Sequence, residues 1–73
     1  MKIKLLNNGG YPVSDSLVFP VIIDDCRAVR KSDFFVSVSG EALSSIGFKN
    51  CKDIPFLEFY LKAHTLPEEA VIL

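Results

Sequence analysis

Mainly β structure with one short helix, closed as a small SH3-like barrel, is the fold predicted for this 73-residue chain; an open α+β sheet is the alternative. Three observations carry that expectation. Short apolar stretches alternate with the period of two that marks half-buried strands. Turn residues separate them, beginning with Asn7-Asn8-Gly9-Gly10. One segment alone, from Ser39 to Phe48, has helical spacing with start and stop signals at its two ends.

Lys2 to Leu6 has strand composition and breaks at the Asn-Gly turn, where Asn and Gly adopt positive φ at low steric cost. Leu17 to Ile23 is apolar on both faces, which predicts a central strand. Pro20 lacks an N–H and conflicts with a central position, so a bend or bulge is expected there. Asp24-Asp25, Arg27, Arg30, Lys31 and Ser32-Asp33 make a polar excursion, read as a strand extension and turn with its charges in water. Phe34, Val36 and Val38 then alternate with Phe35, Ser37 and Ser39 as a half-buried strand.

Ser39 is placed to N-cap the helix, and Glu41 lies near the positive end of its dipole. Ala42, Leu43 and Ile46 share one face. Gly47 is the expected stop, with Phe48 folding back on Leu43. Lys49 to Pro55 reads as a loop. Leu57, Phe59 and Leu61 oppose Phe56, Glu58 and Tyr60 over Phe56 to Lys62, again a strand. His64 to Glu69 turns about Pro67, and Ala70 to Leu73 closes the chain as a short apolar strand.

Length allows one domain, 1–73, and domains near this size bury only about 60–65% of their unfolded surface. Six Phe and two Tyr are hard to hide in so small a body, which predicts a homo-oligomer or an apolar patch for a partner. Eight basic residues against nine acidic ones argue against DNA or RNA, whose backbone demands a marked basic excess. No apolar run approaches the roughly 20 residues of a membrane span, and no signal-peptide pattern opens the chain. The expectation is a cytoplasmic protein with Cys26 and Cys51 as reduced, packed thiols.

No catalytic motif stands out, so the chain is read as a non-enzyme without metal or cofactor. His64, the only histidine, has no nucleophile or acid suited to it nearby, and its spacing to Cys26 and Cys51 matches no zinc pattern. Arg27, Arg30 and Lys31 form the densest basic cluster. They are read first as a solvated loop, and second as a guanidinium clamp for phosphate. In that second reading Tyr11, beside Gly9 and Gly10, stacks a base or sugar ring of a small nucleotide. Phe35 and Tyr60 oppose the expected core faces and are the candidate contacts for a protein partner.

The run Met1 to Tyr11, the triplet Phe19-Pro20-Val21, and Val38-Ser39-Gly40-Glu41-Ala42-Leu43 with Ile46-Gly47 occur in an order that resembles small uncharacterised accessory proteins of bacteriophages and prophages. The likeness covers residues 1 to 47. Its motifs are a turn, a strand and a capped helix, and it brings no catalytic residues. The resemblance implies a protein working inside a bacterial host cell by binding a host component, including those of antiviral defence. Holding a nucleotide second messenger is the alternative that the same context implies.

Overall fold

The computed structural model describes residues 1–24, 26–30, 35–61 and 67–73, with residues 27–30 described through their backbone. The described residues form two three-stranded antiparallel sheets and one short helix. In chain order these are β1 (Ile3–Leu5), β2 (Val21–Ile23), β3 (Cys26–Arg30), β4 (Phe35–Ser39), α1 (Gly40–Ile46), β5 (Phe56–Tyr60) and β6 (Ala70–Ile72). One sheet has the order β2-β1-β6, the other β3-β4-β5.

Between the sheets lies the core. Ile3, Leu5 and Ile23 come from the first sheet; Val36, Val38, Leu57 and Phe59 come from the second, all buried. These are the inward positions of the two-residue alternation. Leu43, Phe48 and Cys51 close the core from the helix and the loop after it. A chain of edge-to-face rings runs through it. Tyr11 meets Phe59 at 5.5 Å, Phe59 meets Phe48 at 6.1 Å, and Phe48 meets Phe19 at 6.3 Å. The irregular segment 6–20 is thereby pinned to the sheets by aromatic packing.

The sheets communicate at two places. Ile23 ends β2 and Cys26 begins β3, so the chain crosses from one sheet to the other with two residues between. Leu61, just after β5, bridges Ala70 at the start of β6. No continuous ladder closes the two sheets among the described residues.

Of the bend or bulge expected at Pro20 the structure has the bend, with Phe19-Pro20 a cis peptide. The strand itself is shorter than expected, beginning at Val21, and it lies at the edge of its sheet rather than at the centre. A residue without an N–H can precede a ladder more readily than interrupt one. The register irregularity falls instead between Cys26 and Ala28 in β3. The polar excursion is accordingly a strand from Cys26 to Arg30, while Lys31 and His64 lie outside the described residues.

Helix α1 follows its punctuation. Ser39 Oγ accepts from the Ala42 amide at 3.4 Å, and Gly47 stands at φ 134°. Phe48 N–H donates to the Leu43 carbonyl at 3.0 Å and Gly47 N–H to that of Ser44 at 3.3 Å, the two bonds of a Schellman end.

Candidate functional site

The register of the second sheet gathers the candidate contact residues on its outer side. Phe35 pairs directly with Tyr60, and their half-buried rings lie 4.7 Å apart at 33°. Arg30 occupies the register position opposite Phe35 on the other flank, so Arg30, Phe35 and Tyr60 form one row across three strands. Two rows on, Ser39 pairs with Phe56. Phe56 is 52% exposed and Ile54 43%, unusual for side chains of that size.

Beside Phe56 an open groove of about 240 Å³ is lined by Ser39, Glu41, Lys52, Asp53, Ile54 and Pro55. The loop that lines it is tied to the helix start at Gly40, whose amide donates to the Pro55 carbonyl at 3.4 Å. Any Cβ at that position would collide with the carbonyl oxygens of Cys51 and Ile54, so the loop 51–55 lies flat on the helix start because residue 40 is glycine. The groove therefore offers an apolar lip, Ile54 and Phe56, next to charges of both signs.

Gly9, Gly10 and Tyr11 stand elsewhere. Gly9 and Gly10 have φ of 62° and 82°, and Asn7 Oδ1 accepts from the Gly9 amide at 2.8 Å. Tyr11 turns its ring into the core against Phe59 and its hydroxyl towards the Glu58 carbonyl at 3.5 Å. The charged neighbour of this turn is acidic. Glu69 Oε2 accepts from the Tyr60 amide at 3.0 Å and lies 3.3 Å from where a Cβ on Gly9 would be. Strand β3, which carries Arg27 and Arg30, is separated from β5 by β4. The fold thus places Arg30 with Phe35 and Tyr60, and places Tyr11 on the far side of β4 from it.

Cys26 and Cys51 are buried and unbridged. The Cys26 thiol donates to the Ser37 carbonyl at 3.3 Å and the Cys51 thiol to that of Gly40 at 3.2 Å. Burial pushes the Cys51 thiol up from its ordinary range. Among the described residues no three of His, Cys, Asp and Glu converge as metal ligands do. Nor is any described helix long and apolar enough to cross a membrane.

Phe56 was legible in the sequence as a residue opposing the core face of its strand. Ile54 was not, because a loop has no periodicity to say which side chains it hides. Set against known proteins, the chain matches no family model, no curated protein and no solved structure.

Proposed function

We propose that this chain is a non-enzymatic accessory protein of the phage type that binds and inhibits a protein of its bacterial host. The observation that carries the reading is the row of Phe35 and Tyr60 on the outer side of β3-β4-β5, continued along β5 to exposed Phe56 and, in the loop before it, Ile54. Aromatic anchors on a rigid sheet lose little side-chain entropy on binding and contribute disproportionately to protein interfaces. The same reading takes the two sheets as halves of a small SH3-like barrel. Its corners would be the passage from β2 to β3 and the bridge between Leu61 and Ala70.

The nucleotide-holding alternative draws less support from this geometry. Its proposed stacking residue, Tyr11, is engaged with Phe59 of β5, across β4 from the strand that carries Arg27 and Arg30 for the phosphates.

The test is affinity capture from a bacterial host lysate with the wild-type chain and with Tyr60→Ala and Phe56→Ala. A specific host protein should be retained by the wild type. Each truncation should weaken its retention by tenfold or more, since interface anchors cost about 2 kcal/mol or more when truncated. Retention of the same protein by both variants at wild-type strength would overturn the assignment of this face.

A further inference from the structure

We propose that a second copy of this chain pairs with the edge of β2 that no described strand covers, antiparallel and centred on Ile22, to form a symmetric dimer with one continuous six-stranded sheet. In the order β2-β1-β6, strand β2 is an edge. Its backbone orientation follows from β1. The Leu6 amide donates to Glu69 O at 2.7 Å and the Leu73 amide to Lys2 O at 3.1 Å, so the even-numbered residues of β1 turn their polar groups to β6. By alternation Ile3 and Leu5 serve β2, bonding with Ile23 and Val21, and the N–H and C=O of Ile22 point away from the sheet.

That edge is complementary to itself. With Ile22 opposite Ile22 of the second copy, the two residues exchange both of their backbone bonds. The next bonded position sets Pro20 against Asp24 of the other copy, and there the Asp24 amide donates to the Pro20 carbonyl. Pro20 has no N–H to return. The Asp24 carbonyl that would want it already accepts the N-terminal ammonium of Met1 at 3.3 Å. That bond turns the Asp24 carbonyl to the β1 side, so the absent donor of Pro20 leaves no Asp24 acceptor empty across the axis. A register shifted by two residues loses that match.

The side chains agree. Val18, Pro20 and Ile22 alternate along the segment and all are exposed, Val18 by 76% and Ile22 by 59%. No charged side chain lies from residue 17 to residue 23, where an edge that must stay single usually carries one. Across the two-fold axis the nearest cations on that row, the two Lys4 residues paired with Ile22, are three strand spacings apart, about 14 Å, and so are largely screened. The ladder is short, below the roughly 1,000 Å² of a permanent interface, so the dimer is a concentration-dependent one.

The test is mass by sedimentation or light scattering over a wide concentration series. Wild type should move from one protomer of 8.1 kDa to two as concentration rises. Ile22→Lys sets two like-charged side chains directly opposite each other, on Cα atoms about 5.5 Å apart, and should remain a single protomer throughout, with its circular dichroism unchanged. Ile72→Lys, on the opposite edge of the sheet, should dimerise as wild type does. A wild-type mass that never rises, or a dimer that survives Ile22→Lys, would overturn the proposal. So would loss of the dimer in Ile72→Lys alone, which would move the contact to β6. Should Ile22→Lys fail to fold, amide exchange on wild type decides instead. The Ile22 and Asp24 amides should exchange more slowly at high concentration than at low, and equal rates would refute the pairing.

Discussion

Glycine 40 and glycine 10 are the same residue type under opposite constraints. A side chain on Gly40 has nowhere to go, because its neighbours are backbone carbonyls that cannot rotate aside. A side chain on Gly10 meets nothing, but must be carried at φ 82°. Gly40→Ala should therefore cost about 3 kcal/mol, the upper part of the overpacking range, and open the groove beside it. Gly10→Ala should cost about 1–2 kcal/mol, the penalty of the left-handed backbone alone. Urea midpoints of the two variants check this, and the reverse order would mean that the loop 51–55 does not rest on residue 40. A second test at this scale concerns Cys51. Because burial raises its pKa in the folded chain, the folded state keeps that proton where the unfolded state begins to shed it. The contribution is intact below the unfolded thiol pKa of about 8.5 and declines as pH rises past it. Wild type should accordingly lose stability more steeply between about pH 8 and about pH 10 than Cys51→Ala does, even though the variant starts lower. Parallel slopes would show that the thiol is not desolvated.

Elements differ in how openly the sequence declares them. Helix α1 was legible to the residue, since Ser39, Gly47 and Phe48 each act on the backbone locally and each makes its expected bond. β4 and β5 were legible in phase, as Val36, Val38, Leu57 and Phe59 are the inward set that alternation selects. The segment 17–23 was not. Seven apolar residues give no alternation to choose a face, and Pro20 marks a local exclusion without saying on which side the strand lies. The candidate contact residues were half visible for the same reason. Phe35 and Tyr60 follow from strand phase, but their pairing across the sheet, and the placing of Arg30 in the same row, depend on register. Register is a long-range property that local pattern does not carry. Tyr11 shows the limit from the other side, because an aromatic residue beside a glycine turn looks the same in sequence whether its ring faces a ligand or, as here, the ring of Phe59.

At the scale of the molecule, stability rests on very few side chains. A chain of this length holds roughly 4–11 kcal/mol against unfolding. Phe59 is fully buried on β5, an edge strand of the second sheet, and its ring packs edge-to-face on both Tyr11 and Phe48. Through those two rings it holds the turn 7–11 and the end of α1, neither of which belongs to a sheet. Phe59→Ala should remove about 3–5 kcal/mol, a large share of the whole. The loss should exceed that of Tyr60→Ala, one residue along the same strand but on its half-exposed outer side. The two aromatic contacts also make Phe59 a node, so Tyr11→Leu and Phe48→Leu should each cost less in a Phe59→Leu background than in wild type. Denaturant titrations of this double-mutant set measure the coupling directly. Costs that simply add would show that Tyr11 and Phe48 are held by other contacts, and that the two sheets, rather than this chain of rings, keep the irregular segment 6–20 in place.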